Sequence, residues 1–308
     1  MNLAAEDRAD ELLSFLEGRA SPELSSALMA RARQLRASHW QNRVQVHIIN
    51  NVRNGNCRED CGYCAQRKSA TEDVPDYGLK SDDEILKEAE AAHAAGAYRY
   101  CMVMSGRGPG RNTVARLKRT ISKIKERFPL EVCLSAGILT DPELAQELKS
   151  AGLDRYNHNL NTSKRNYSNI ASTHTYSDRE ATLQTMQGAG VSLCSGVIVG
   201  LGEEPAEILS LAYRLSELGA VSVPVNFFIP VPGHALKEEA LLTADYCLRV
   251  LAVFRLCLPA AEVRLAAGRE LYLGQELEEA MQLANSLFVS GYLNVKGSSP
   301  DATVQRLS

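Results

Sequence analysis

From Val44 onward, short apolar runs rich in β-branched residues alternate with longer stretches whose apolar positions recur every three or four residues. The short runs predict strands at Gln45–Asn50, Tyr98–Met104, Leu130–Ser135, Asp154–Asn159, Val191–Val199, Val221–Ile229, Glu262–Ala266 and Ser286–Ser290. The longer stretches predict helices at Asp82–Ala95, Asn112–Arg127, Asp141–Ala151, Asp178–Ala189, Pro205–Leu218, Ala244–Leu258 and Glu276–Ala284. Gly96, Gly152, Gly190 and Gly219 stand where helices should end. Strand and helix alternating in this way imply parallel β/α units. Eight such units close a TIM-type (β/α)8 barrel, the α/β fold expected here. An open doubly wound sheet is the rival. It is weakened because no G-x-G-x-x-G follows the first strand.

The first 40 residues follow a different rhythm. Leu12, Leu13, Phe15 and Leu16, then Leu24, Leu28, Ala32 and Leu35, fall at helical spacing, and Ser21-Pro22-Glu23 reads as a second helix start. Residues 1–40 are therefore expected to form an N-terminal helical extension packed outside a barrel spanning 41–308.

Composition narrows the classes of function. The chain has 308 residues, ample for one large domain, and a net charge of −3, which favours neither nucleic acid nor an acidic membrane as partner. No apolar run approaches the roughly 18–20 residues needed to cross a bilayer, and Met1 to Ala20 is acidic and amphipathic, unlike a secretory signal. A cytoplasmic address is the expectation. In a reducing compartment, eight cysteines point to metal binding or catalysis before disulfides.

Three of them lie in Asn54-Gly55-Asn56-Cys57-Arg58-Glu59-Asp60-Cys61-Gly62-Tyr63-Cys64, directly after the first strand. In a barrel this loop lies on the face that carries active sites. Thiolates spaced C-x3-C-x2-C can hold three corners of a [4Fe–4S] cube and leave the fourth iron open. A structural zinc site is the alternative, but zinc wants four protein ligands and no second Cys pair is present. Cys101, Cys133 and Cys194 fall within predicted strands, as does Arg264. Each cysteine alone reads as a small core hydrophobe. An arginine mid-strand must face a polar interior or an anion, so the four together suggest one polar centre inside the barrel. Cys247 and Cys257, in an apolar helical stretch, read as packing.

The tri-cysteine spacing resembles that of radical S-adenosylmethionine enzymes. Longer strings resemble the biotin synthase family in particular, between about Trp40 and Tyr292. They include Tyr100-Cys101-Met102, Ser105-Gly106-Arg107-Gly108-Pro109, Asp154–Ser163, Cys194–Glu203, Ser222–Asn226 and Arg264–Glu270. The resemblance implies sulfur insertion into dethiobiotin. The catalytic set would be Cys57, Cys61, Cys64 and Arg264, with the cube and S-adenosylmethionine generating a 5′-deoxyadenosyl radical. Cys101, Cys133, Cys194 and Arg264 would hold an auxiliary [2Fe–2S] cluster that donates the sulfur. Tyr63, Asn159 and Asn161 would contact S-adenosylmethionine. Asn157 and Asn226 would bind the ureido ring, and Arg99 would anchor the substrate's tail. A homodimer and an electron donor such as flavodoxin or ferredoxin are implied as well. The pattern departs at Asn294-Val295, where the family has a Thr-Thr pair that helps hold the carboxylate. A pocket without that anchor suits an octanoyl group, as in lipoyl-type sulfur insertion, although an alkyl chain has no use for Asn157 and Asn226.

Overall fold

The chain restarts as a helix at Ser21 because its hydroxyl accepts the Leu24 amide and Pro22 fits the first turn. The computed structural model describes residues 5–67, 74–230 and 242–289. Helices α1 (Ala5–Leu16) and α2 (Pro22–Trp40) precede the first strand. The strands are β1 (Gln45–Arg53), β2 (Arg99–Met104), β3 (Glu131–Ser135), β4 (Arg155–Asn157), β5 (Ser192–Cys194), β6 (Val197–Val199), β7 (Ser222–Phe227), β8 (Glu262–Leu265) and β9 (Ser286–Val289). Between them run α3 (Asp82–Ala94), α4 (Arg111–Arg127), α5 (Pro142–Ser150), α6 (Tyr167–Ile170), α7 (Tyr176–Gly188), α8 (Pro205–Glu217), α9 (Ala244–Cys257), α10 (Arg269–Tyr272) and α11 (Leu277–Met281). The short α6 and α10 carry too few apolar positions to show a period.

Every strand pairing is parallel, in the order β5-β4-β3-β2-β1-β9-β8-β7-β6, and a further β5–β7 pairing at Cys194 and Ser222 closes the ring. The barrel is thus closed as expected, with one correction. The segment Val191–Val199, read as a single strand, breaks into β5 and β6, giving nine strands among the described residues. The break falls at Ser195-Gly196. A side chain at Gly196 would bring its Cβ to 1.9 Å from the Pro224 carbonyl oxygen, so only glycine passes there. It lets the chain after β4 enter the wall, with Asn161 pairing to Gly196 and Ile198.

Alternation along each strand sorts the side chains. Tyr100, Met102, Val132, Leu134, Val263 and Leu265 point outward and join the large core under the helices. Helix starts are secured by capping boxes, Ser81 with Glu84 and Thr175 with Asp178. Outside the barrel, α1 packs on α8 and α9, and α2 packs on α9.

Candidate active site

The inward residues form layers. At the floor, the β1–β2–β3 register aligns His47, Arg99 and Glu131, and the β7–β8 register aligns Ser222 with Glu262. One step up, Ile49, Cys101 and Cys133 are aligned, while Arg264 is aligned with Pro224 and Ser286. Above these opens a cavity of about 340 Å³, lined by Cys57, Cys61 and Cys64 at its mouth and by Cys101, Cys133 and Arg264 at its base.

The mouth loop is held from both sides. Gly55 N and Cys57 N donate to the Oε1 and main-chain oxygen of Gln66, both at 3.1 Å, and Cys64 N donates to Cys61 O at 3.0 Å. Asp60 accepts from the amides of Ser172 and Thr173 at 3.0 and 3.2 Å, and Gly62 N donates to Ile170 O at 2.8 Å. The three cysteines are free and half-buried. Burial pushes the Cys61 thiol up and the Cys64 thiol up to about 12, so each would give up its proton on binding metal. Three free thiols on one pinned loop fit a cluster with an open corner. Among the described residues, no group of three or more His, Cys, Asp or Glu side chains converges to hold a single metal ion.

Beneath the cavity, Cys101, Cys133, Cys194, Ala266 and Phe288 form a small cluster of their own, separate from the main core. The Cys133 thiol is pushed up to about 12, chiefly by its hydrogen bond with Cys101. Burial would raise Cys101 too, but its bond with Cys133 and the guanidiniums of Arg264 and Arg99 hold it below the ordinary value. Arg264 Nη1 stands 3.7 Å from Cys194 Sγ, and its guanidinium carbon lies 4.8 Å from the centre of the Phe288 ring. Three thiols and one guanidinium are thus neighbours, contributed by β2, β3, β5 and β8. This donor set fits the auxiliary cluster that the family resemblance implies.

The amides gather above it. Asn157 Nδ2 donates to Asn159 Oδ1 and to Cys194 Sγ, both at 3.2 Å. Asn226 is spread between Val197 O at 2.9 Å and Ala267 N at 3.2 Å, which fixes its plane. Asn159 was expected on the same strand as Asn157. It lies instead beyond the end of β4, held by Gly196 N at 3.0 Å. Asn161 has left-handed backbone (φ 69°), and its Nδ2 donates to the Tyr63 hydroxyl at 2.5 Å. All four asparagines and Tyr63 line the cavity.

Arg99 does not. Its side chain is fully buried in the floor and pairs with Glu262 Oε2 and Glu131 Oε2, both at 2.7 Å. No contact with the cavity supports the expectation that it anchors a substrate's tail. Its position at the start of β2 puts it one inward step below Cys101, on the far side of the thiols from the cavity. Asn294-Val295 lies outside the described residues.

Sequence reading missed a second network at the mouth. His174 Nδ1 lies 2.7 Å from Glu59 Oε2, and its Nε2 lies 3.0 Å from Arg179 Nη2. A carboxylate cannot donate and a guanidinium cannot accept, so the proton sits on Nδ1. Burial and Arg179 lower the imidazole's pKa, in keeping with a neutral ring. Arg179 also donates to Asn159 O at 2.9 Å and to the Tyr63 hydroxyl at 3.3 Å. Glu59, His174 and Arg179 line the cavity. Glu59 falls between two of the motif cysteines, the only hint the sequence offered.

The chain matches two family profiles: the radical SAM superfamily over residues 52–214, and the biotin and thiamin synthesis associated domain over residues 224–308. It is 52% identical to a biotin synthase of Leptospira biflexa over 96% of this chain and 83% of that one. It is 50% identical to a biotin synthase of Magnetococcus marinus over 90% and 86% of the two chains. Among solved structures, methylornithine synthase (PylB) superposes with a TM-score of 0.81 over 97% of this chain and 91% of that one. At 17% identity, that likeness concerns the fold alone.

Proposed function

Because the chain belongs to the biotin synthase family, we propose that its barrel is divided by height among three parties: S-adenosylmethionine at the mouth, dethiobiotin in the cavity and the auxiliary cluster at the base. Radical insertion of sulfur into dethiobiotin to form biotin is the family's reaction and this chain's. Its cofactors are a [4Fe–4S] cluster, S-adenosylmethionine and a [2Fe–2S] cluster. When bound, the cube supplies the electron that splits the sulfonium and releases a 5′-deoxyadenosyl radical, and the auxiliary cluster supplies the sulfur.

One observation supports the division: a single cavity reaches from the mouth cysteines to Cys101, Cys133 and Arg264. Cys57, Cys61 and Cys64 would hold the cube. Tyr63, Asn159 and Asn161, tied together through Arg179, would orient S-adenosylmethionine. Asn157 and Asn226 would hold the ureido ring. A neutral urea both donates and accepts, and so does an amide. Their fixed planes would set the substrate's reacting carbons between the two clusters, and closing the cavity around them would exclude water. We read residues 1–40 as an extension outside this working barrel. On the resemblance alone, we further assign a cytoplasmic homodimer reduced by a flavodoxin or ferredoxin.

The test is anaerobic incubation of the reconstituted protein with dethiobiotin, S-adenosylmethionine and a reductant. Biotin and deoxyadenosine are expected together. Deoxyadenosine without biotin would overturn the substrate assignment and favour an octanoyl acceptor. The variant Cys133→Ala should lose the auxiliary iron and sulfide and all biotin formation. It should still cleave S-adenosylmethionine, and an unchanged biotin yield would remove Cys133 from the ligand set.

A further inference from the structure

Arg264 is an unusual partner for an iron–sulfur cluster, because its alkyl stem is flexible and its guanidinium always charged. Its surroundings remove that flexibility. Nε donates to Glu262 Oε1 at 3.1 Å, and Nη2 donates to the same oxygen at 2.7 Å and to Ser222 Oγ at 2.6 Å. Ser286 Oγ donates to Glu262 Oε1 at 2.7 Å, while Arg99 takes Glu262 Oε2 at 2.7 Å. His47 Nε2 stands 3.3 Å from Glu262 Oε1. Glu262 is 1% exposed. Two of the three guanidinium nitrogens are thereby committed to the floor. Only Nη1 turns to the sulfurs, through Cys194.

We propose that Glu262 is a positioning residue for sulfur insertion: it fixes the guanidinium of Arg264 so that Nη1 alone is presented to the auxiliary cluster. The inference rests on the reading of Cys101, Cys133, Cys194 and Arg264 as that cluster's ligands. Arg99 completes the device from below. It neutralises the second carboxylate oxygen, so Glu262 can hold Arg264 without leaving a buried charge uncompensated. Ser222 accepts from Arg264 and Ser286 donates to Glu262, and together they set the rotation of the pair. The carboxylate lies two residues before Arg264 on one strand, so alternation puts both side chains on the same inward face.

The reconstituted holoprotein provides the test, with visible circular dichroism and Mössbauer spectra as readouts separate from turnover. In Glu262→Gln the auxiliary cluster's charge-transfer bands should shift, with the [4Fe–4S] signature and S-adenosylmethionine cleavage unchanged. Arg264→Ala should shift the same bands, and the double variant should match Arg264→Ala alone. Bands in Glu262→Gln identical to the parent, or a further shift in the double variant, would overturn the proposal. Ser286→Ala removes one bond to the same carboxylate oxygen and should give a smaller shift in the same direction. If Glu262→Gln does not fold, an unshifted Ser286→Ala overturns the proposal in its place. A parent protein that takes up no second cluster would instead overturn the ligand assignment beneath it.

Discussion

Arg99 holds two carboxylates at once, and this decides what its loss should do. Glu131 and Glu262 both lie against it, the second wholly buried. Removing the guanidinium leaves a buried carboxylate short of its partner, which costs about 3–5 kcal/mol. Arg99→Ala should therefore lower unfolding stability by about that amount, read from urea denaturation of the apo-protein. A residue that merely gripped a substrate's tail would raise KM and leave the denaturation midpoint alone, and that outcome would favour the tail-anchoring role. Sequence could not separate these cases. Arg99 and Glu262 are 163 residues apart, and no periodicity joins them. The cysteines were legible because their chemistry is written in short spacings. The asparagines were legible only through long matching strings, since asparagine alone reads as a turn or cap residue.

Elements were read more reliably than their edges. Six of the seven predicted helices are present as α3, α4, α5, α7, α8 and α9, the seventh, Glu276–Ala284, shortens to α11, and Gly96, Gly152, Gly190 and Gly219 do sit in left-handed backbone at the helix ends. The break between β5 and β6 was hidden because Val191–Val199 reads as one β-rich run across Ser195-Gly196, and only a carbonyl contributed by β7 makes Gly196 necessary. At the start of α8, Glu207 ties the asparagine-rich segment to the helix. Arg165 hydrogen-bonds it at 3.0 Å and Ser163 donates to it as well. Arg165 chiefly, outweighing the effect of burial, draws this carboxyl down to about 2. A carboxyl whose folded pKa lies below its unfolded value near 4.5 stabilises the fold above that value. The contribution fades as pH falls from about 4.5 towards 2. Glu207→Gln should flatten the acid limb of stability against pH in that window and change little at pH 7 beyond a constant offset. Equal slopes for the two proteins between those pH values would refute it. The pair is partly exposed, so salt should weaken the effect.

Across the whole molecule, the seam of the barrel joins β1 to β9. A chain cut after Asn285 would lose β9, leaving β1 and β8 as open edges and uncovering the core that Leu287 and Val289 now cover. Such a fragment should show no cooperative thermal transition, whereas a sharp one would mean that the remaining wall is self-sufficient. The same seam bears on the order of events in the cell. The mouth cysteines are translated early, yet the wall beside them is the last to be made. Pairing between distant ends of a chain is slow, because loop closure must be met before any contact rewards it. The cysteine loop therefore leaves the ribosome long before it has a barrel to cap. Iron and sulfide delivered at that stage would meet thiols with no enclosing walls. Metallation is expected to be a post-translational event, in which synthesis of the last strand sets the earliest moment at which the machinery that delivers clusters finds a finished receptacle.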